Sequence, residues 1–196
     1  MKQYDDPLAV FTQWYKEAQK CSKIGDASAV NLATSTKDGK PSNRMVLLKS
    51  YDEQGFVFYT NLNSRKGCEI QNNPRVSMCF YWEGLDRQVR IEGEAVKVSD
   101  QEADDYFNSR PIKSRIGAWA SKQSQTLLSS TELMKRVAKY TLKISKDSDL
   151  KRPEFWSGYR VVPNSIEFWK HGEYRLHNRV IYKRKNDEWE VGLLYP

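Results

Sequence analysis

Both histidines of the 196-residue chain, His171 and His177, lie in one short stretch, IEFWKHGEYRLHNRVIY. Arg175 and Arg179 flank His177, and Trp169 lies just upstream. Histidine titrates near neutral pH, and arginine binds carboxylates and phosphates, so this grouping suits proton transfer or the orientation of an anion. A metal site and a plain surface hairpin are the alternatives.

The metal alternative has little support in the sequence. Catalytic zinc takes three protein ligands and structural zinc takes four, whereas the two histidines span a predicted turn with no cysteine close by. The cysteines, Cys21, Cys68 and Cys79, are odd in number and form no CxxC pair. We therefore expect no metal, no disulfide framework and a reducing compartment, the cytoplasm. No run of residues approaches the length of a membrane span.

Basic residues predominate. The formal net charge is +7, which favours anionic partners such as phosphates, nucleic acid or acidic membranes. A basic solvated surface is the alternative interpretation.

The stretch NSRKG gives that charge a place. Ser64 is a good N-cap, so Arg65 and Lys66 fall in the first turn of a predicted helix. Cations there oppose the helix dipole, at roughly 0.3–1 kcal/mol each, and a bound anion would reverse the sign. The stretch therefore predicts a phosphate site, with two solvated side chains as the alternative.

Two further stretches place cations where a ligand could meet them. Tyr106, Arg110 and Ser114 follow one another at spacings of four, and Pro111 disfavours helix at Arg110, so they converge only across a helix–turn. In RMVLLK, residues 44–49, two cations bracket four apolar residues. Such a run suggests a strand buried on both faces, with its charges at the rim of the core. Cations that only mark where the strand leaves the core are the alternative interpretation.

The elements that position these residues follow from periodicity. Helices are predicted in DDPLAVFTQWYKEAQK, SRKGCEIQNNP and DQEADDYFNS, the last ending at Pro111, and near Ser130 to Ile144. Strands are predicted in AVNLATST, SNRMVLLKSY, FVFYT, RVSMCFYW and RQVRIEGEAVKV, and then in SGYRVVP, SIEFWK, RVIYKR and EWEVGLLY, with PN, HGE and KND as turns.

Many short strands joined by tight turns pair antiparallel. We therefore expect one domain, residues 1–196, that is mostly β with flanking helices and forms a closed or nearly closed barrel with an N-terminal helix. A sandwich is the alternative. On a strand, Arg175 and His177 would point to the same face, whereas His171 at the turn would be incidental.

These pieces in this order resemble the pyridoxine/pyridoxamine 5′-phosphate oxidase family. The resemblance covers nearly the whole chain, and its markers are RMVLLK (44–49), FYTN (58–61), SRK (64–66), NNPRVS (72–77), RQV (87–89), YFNSRP (106–111), IGAWASKQS (116–124), FW (155–156), IEFW (166–169) and RLHNR (175–179).

The resemblance implies an antiparallel FMN-binding split barrel and a homodimer with two FMN molecules in clefts between subunits. It implies oxidation of pyridoxamine and pyridoxine 5′-phosphate to pyridoxal 5′-phosphate, with hydride transfer to flavin N5 and reduction of O2 to H2O2. No nucleic acid or membrane partner is implied.

The resemblance also assigns residues. For FMN it implies Arg44, Met45, Val46, Leu47, Leu48, Lys49, Tyr59, Thr60, Arg65, Lys66, Gln88, Gln123, Ser124, Trp169 and Arg179. For the substrate it implies Lys49, Tyr106, Arg110, Ser114, Arg175, Leu176 and His177, with Arg175 and His177 as the catalytic pair.

Two departures accompany the resemblance. Family members often carry an N-terminal Arg and Tyr that fold over the substrate, for which Tyr4 is not a convincing equivalent. The usual RLHD is RLHN here, so Asn178 replaces an acid beside His177. The rival functions are a sister split-barrel flavin oxidase that acts on another ring and a non-enzymatic basic barrel that binds nucleic acid.

Overall fold

The computed structural model describes residues 6–146, 150–186 and 188–196. Tyr4 lies outside these ranges. The helices are α1 (Pro7–Lys20), α2 (Arg65–Asn72), α3 (Asp100–Ser109), α4 (Ile112–Ala120) and α5 (Ser130–Lys146). The strands are β1 (Ala29–Ser35), β2 (Pro41–Leu47), β3 (Ser50–Asp52), β4 (Gly55–Asn61), β5 (Arg75–Trp82), β6 (Arg87–Lys97), β7 (Trp156–Lys170), β8 (Asn178–Lys185) and β9 (Glu188–Leu193).

The strands form one antiparallel sheet in the order β2-β1-β5-β6-β7-β4-β3, with β8 on β7 and β9 on β8. Strand β7 organises the sheet, since its first half pairs with β4 and its second half with β8, while β6 runs along both. The prediction of a mostly β, antiparallel fold with flanking helices is confirmed. In the described part of the chain, no helix is both long and apolar enough to cross a membrane.

Helix α1 covers the inner face of the curled sheet. Asp6 caps it by accepting hydrogen bonds from the Leu8 and Ala9 amides, which satisfies amides that a helix start leaves unpaired. Its fully buried Phe11 makes edge contacts with Phe56 of β4 and Phe80 of β5. These contacts tie the first helix to strands far along the sequence.

The expectation that RMVLLK forms a strand buried on both faces is wrong. Strand β2 lies at an edge of the sheet, and the side chains of Met45 and Leu47 are 59% and 40% exposed in the single chain. An apolar run indicates burial, but it does not identify the element or chain that covers the strand. Here no element described in this chain covers the outer face of β2.

The predicted turn at Pro163–Asn164 is also wrong, because β7 runs straight through it. The register against β6 shifts there, and Asn164 is the extra residue of a bulge opposite Glu92 and Gly93. A bulge tolerates proline, which has no N–H to donate to the ladder. Helix α4, which the sequence reading missed, begins directly after Pro111, a residue that starts helices as readily as it ends them.

Candidate functional site

Helix α2 begins where the sequence predicts, and it buries a cation. The Ser64 hydroxyl accepts a hydrogen bond from the Gly67 amide at 3.3 Å, so Arg65 and Lys66 occupy the first turn. The Lys66 ammonium lies 3.2 Å from Thr60 Oγ1 and 3.2 Å from Gln123 Oε1, with only 8% of the residue exposed. Burial lowers the pKa of Lys66, and the nearby Arg44 guanidinium lowers it further.

Lys66 makes no ion pair with a carboxylate in the described ranges. A buried ammonium with only neutral acceptors is unfavourable unless an anion joins it. The α2 start therefore has the charge and the amides that suit a phosphate group.

A carboxylate in the same helix arranges the neighbouring arginines. Glu69 Oε1 accepts from Arg65 Nε at 2.9 Å, and Oε2 accepts from Ser42 Oγ at 2.6 Å and lies 3.4 Å from the Arg44 guanidinium. Thr34 of β1 donates to the same oxygen. Burial alone would raise the pKa of Glu69, but hydrogen bonds from Ser42, Thr34 and Arg65 outweigh it and lower the pKa to about 2.

A cavity of about 370 Å³ lies beside Lys66, between β4, the α3–α4 region and the start of β7. Seven of the residues assigned by resemblance line it, namely Lys49, Tyr59, Thr60, Tyr106, Arg110, Ser114 and Gln123. The described residues that line it include cations and no acid. Ser124 follows Gln123 with a left-handed backbone, φ 71°.

Aromatic rings pack beside the Arg110 guanidinium in this cavity. Tyr59, Tyr106 and Trp156 lie nearly parallel, with ring centroids 3.9 Å apart for the two tyrosines and 5.3 Å apart for Tyr59 and Trp156. The Arg110 guanidinium lies 4.7 Å from the centre of the Trp156 ring, and its Nη1 is buried without an acceptor in the described protein. Burial lowers the pKa of Arg110 and raises that of Tyr59 to about 12. An unsatisfied buried donor on a cation is what an anionic ligand would satisfy.

The chain turn between α3 and α4 brings Tyr106, Arg110 and Ser114 together. Tyr106 lies on α3, Arg110 caps the end of that helix, and Ser114 lies in the first turn of α4. The expected convergence across a helix–turn is therefore present in this structure.

The second group of assigned residues lies on the outer face of the sheet. Gln88 of β6, Trp169 of β7 and Arg179 of β8 are directly opposite one another across the three strands. The buried Glu167 pairs with Arg179 at 2.7 Å and with Arg90 at 3.0 Å. This pairing holds the Arg179 guanidinium against the sheet.

Arg175 and His177 are not on a strand, so the expectation that they share a strand face is wrong. They lie in the loop before β8, where Tyr174 and Arg175 have positive φ values of 54° and 64°. The His177 ring lies 4.7 Å from the Trp169 ring, and its Nδ1 accepts a hydrogen bond from the Gly172 amide at 3.3 Å. The neutral ring therefore carries its proton on Nε2.

Other parts of this loop differ in their surroundings. The His171 ring, expected to be incidental, lies 5.4 Å from that of His177. Leu176, assigned to the substrate, is 69% exposed in the single chain. Gly172 is required here, because a Cβ would lie 2.0 Å from the Leu176 carbonyl oxygen.

The two groups lie at opposite ends of β7. Tyr59 pairs with Gly158 near the start of that strand, and Gln88 and Arg179 pair with Trp169 near its end. Eleven residues of strand separate these positions, on the order of 36 Å at the usual rise. The two groups therefore occupy separate ends of the same strand in one chain.

Sequence reasoning missed three residues that hold the assigned ones in place: Glu69, Trp156 and Glu167. Glu69 follows Arg65 by four residues on a helix, a spacing that predicts an ion pair. Neither Trp156 nor Glu167 carries such a local signal, because their partners are distant in sequence.

Comparison with known proteins identifies the family of the chain. A family model described as pyridoxamine 5′-phosphate oxidase matches residues 16–143, and one described as the pyridoxine 5′-phosphate oxidase C-terminal dimerisation region matches residues 156–196. The chain is 50% identical over 192 residues to the pyridoxine/pyridoxamine 5′-phosphate oxidase of Pelagibacter ubique, covering 97% of this chain and 92% of the relative. It is 52% identical over 193 residues to that of Brucella canis, covering 97% and 94%.

Solved structures share the architecture. PhzG from Burkholderia lata, in complex with tetrahydrophenazine-1-carboxylic acid, superposes with a TM-score of 0.92 at 30% identity, covering 100% of this chain and 95% of that one. A pyridoxamine 5′-phosphate oxidase-related, FMN-binding protein from Nostoc punctiforme superposes with a TM-score of 0.75 at 17% identity, covering 99% and 100%. The latter likeness identifies the fold, an FMN-binding split barrel. By the family models that match it and by its relatives, this chain belongs to the pyridoxamine 5′-phosphate oxidase family.

Proposed function

We propose that this chain is an FMN-dependent oxidase that converts pyridoxamine 5′-phosphate and pyridoxine 5′-phosphate to pyridoxal 5′-phosphate and reduces O2 to H2O2. The relatives at about half identity carry the name of this activity. The single structural observation that carries the proposal is the buried Lys66 ammonium, which lacks a carboxylate partner in the described chain and lies beside a basic cavity.

The residues at the start of α2 fit the phosphate of FMN. Lys66 and Arg65 supply charge, and Arg44 lies close enough to Lys66 to lower its pKa. A phosphate monoester carries a charge of about −2 near neutral pH, which would compensate the buried ammonium. When bound, FMN supplies the hydride-accepting chemistry, and these residues hold it in place.

The cavity fits the phosphate of the substrate. Arg110 offers its unsatisfied Nη1, and Lys49, Tyr106 and Ser114 line the same space. Anchoring the phosphate far from the reacting carbon supplies binding energy that orients the ring. The stacked tyrosines and Trp156 restrict the orientation of the Arg110 guanidinium.

Arg175 and His177 would act on the substrate ring from the loop before β8. Because the Nδ1 atom of His177 accepts from Gly172, its Nε2 atom is left to donate or to exchange a proton. Arg175 would cover the pyridine ring and stabilise charge there. Trp169, Gln88 and Arg179 would contact the flavin from the outer face of the sheet.

The working unit is a homodimer. The two groups of site residues lie at opposite ends of β7 in one chain, and a second copy would bring its outer face against the cavity of the first. That face exposes Met45, Leu47 and Tyr81 in the single chain, and the C-terminal part matches a dimerisation region. Large apolar side chains exposed on one face of a sheet are typical of an interface.

We also propose that residues 1–196 act as one split-barrel domain and that the protein is cytoplasmic. Strand β7, in the C-terminal part, pairs with β4 and β6, so the described elements share one sheet. Cys21, Cys68 and Cys79 are free thiols, which suits a reducing compartment.

The alternative is a sister oxidase that acts on another ring, as the structural likeness to PhzG suggests. A substrate without a phosphate would not need the Tyr106, Arg110 and Ser114 group. A basic barrel that binds nucleic acid would be colourless and would bind with a steep salt dependence.

A visible spectrum and an assay of H2O2 production separate these functions. We expect a yellow protein that releases FMN on denaturation and oxidises pyridoxine 5′-phosphate but not unphosphorylated pyridoxine at comparable concentration. A colourless protein that FMN does not stabilise against heat would overturn the proposal. Equal turnover with and without the phosphate would favour the sister oxidase.

A further inference from the structure

Glu69 is a buried carboxylate surrounded by donors, and it is not among the residues that the family resemblance assigns to FMN or to the substrate. It is 6% exposed, and each of its two oxygens contacts one arginine, Oε1 with Arg65 and Oε2 with Arg44. The Ser42 and Thr34 hydroxyls also donate hydrogen bonds to Oε2. A carboxylate with this many partners is rigid, and it transmits that rigidity to the groups it binds.

The two arginines lie on different elements, an edge strand and a helix start, and Glu69 contacts both. Arg44 lies on the edge strand β2, where its guanidinium reaches the Leu32 carbonyl at 3.3 Å and the hydroxyls of Thr34 and Ser42. Arg65 lies at the start of α2, and in the described chain its one bond to a protein acceptor runs from Nε to Glu69. This bond leaves both terminal amino groups of Arg65 available for a ligand.

The charges around Glu69 also balance a phosphate. Arg44, Arg65 and Lys66 contribute three positive charges and Glu69 contributes one negative charge, which leaves +2. A phosphate monoester dianion brings about −2. The bound site would therefore be neutral, although a carboxylate close to a phosphate by itself repels it.

We propose that Glu69 is a positioning residue of the flavin phosphate site: it holds the Arg44 and Arg65 guanidinium groups in place for the phosphate of FMN. The inference rests on the proposed function, since it assumes that this phosphate binds at α2. If Glu69 positions the arginines, its removal weakens FMN binding. If its charge only repels the phosphate, its removal strengthens FMN binding, so the inference can be tested.

The test is the affinity of the apoprotein for FMN and for riboflavin, which has no phosphate, measured by quenching of flavin fluorescence. We expect Glu69→Gln to weaken FMN about 10-fold, because charge-assisted hydrogen bonds that orient both arginines are lost. Riboflavin affinity should not change. Glu53→Gln removes the same charge from an exposed turn and should alter neither affinity.

If charge alone mattered, Glu69→Gln would bind FMN more tightly than the parent, and that result would overturn the inference. Unchanged FMN affinity would also overturn it. An equal loss for FMN and riboflavin would indicate a general structural role and would likewise overturn the inference. A parent protein that binds no FMN would instead overturn the proposed function.

A double-mutant cycle shows whether Glu69 acts through Arg65. In an Arg65→Gln background, we expect Glu69→Gln to weaken FMN by less than half as many fold as in the parent, because one guanidinium that it positions is gone. Additive effects would contradict the positioning role. Should Glu69→Gln fail to fold, Ser42→Ala removes one donor and keeps the carboxylate; it should weaken FMN about 3-fold and leave riboflavin unchanged, and no change in FMN affinity would then overturn the inference.

Discussion

At the scale of single residues, we expect the buried charge of Lys66 to affect both the stability of the apoprotein and its affinity for FMN. Burial lowers its pKa, which means that the charged form is disfavoured in the apoprotein. We expect Lys66→Met to leave the melting temperature of the apoprotein unchanged or higher and to weaken FMN by roughly 10- to 100-fold, since a charge-assisted contact contributes about 1.5–3 kcal/mol. Calorimetry and flavin titration measure the two effects. A large drop in melting temperature with unchanged FMN affinity would mean that the phosphate binds elsewhere.

Glu69 makes the free energy of unfolding depend on pH in the acidic range. Its pKa is about 2 in the folded chain, against about 4.3 for an unperturbed glutamate. Because the folded pKa is the lower one, this stabilisation is present above about pH 4.3 and is lost as the pH falls toward about 2. We expect the difference in free energy of unfolding between the parent and Glu69→Gln to shrink by roughly 2–3 kcal/mol over that window. Urea denaturation at several pH values measures it, and a constant difference would refute the expectation.

Arg175 and His177 should separate turnover from flavin binding. Neither contacts the α2 phosphate site of its own chain, so Arg175→Ala and His177→Ala should keep the yellow colour. Loss of proton transfer at His177 should lower kcat by about 10²–10⁴. Loss of Arg175 should lower kcat together with kcat/KM if it contacts the transition state, whereas a binding role raises KM alone. Parent values of kcat and KM in both variants would make the loop structural.

At the scale of elements, we expect phosphate binding at the first turn of α2 to depend on how closely this helix packs against the loop before it. A Cβ on Gly67 would lie 2.2 Å from the Leu62 carbonyl oxygen, so the helix cannot approach this closely with any other residue. We expect Gly67→Ala to lower the melting temperature and to weaken FMN, because the helix start must shift. Gly25→Ala is the matched control, since a Cβ there meets nothing within 4 Å. Equal effects of the two changes would contradict the role given to α2.

At the scale of the whole molecule, mixed dimers test whether each site takes residues from both subunits. Lys66→Met alters the group at the start of β7, and Trp169→Ala alters the group at its end. If each site combines one group from each subunit, a dimer with one subunit of each kind has one site with both defects and one intact site. We therefore expect mixing and reassembly of the two variants to restore FMN binding to some dimers. Absence of any restored binding, with mixed dimers present by mass spectrometry, would place each site within one chain.

Much of this molecule is determined by local sequence. Asp6 and Ser64 cap helices where their side chains predict it, because capping depends on amides two or three residues away. Most strands also follow from the alternation of apolar residues. The markers of the family are local as well, which is why the resemblance extends over nearly the whole chain.

The tertiary structure decided what depends on distant partners. The run RMVLLK becomes an exposed edge strand because sheet order, not hydrophobicity, sets what covers it. Strand β7 continues through Pro163 because the bulge in its pairing with β6 tolerates a residue that has no N–H to donate. Glu69 meets Thr34 and Arg44 across 35 and 25 residues of sequence, contacts that no local pattern encodes. The separation of the two site groups along β7 likewise follows from strand pairing, which joins residues distant in sequence and which no local pattern encodes.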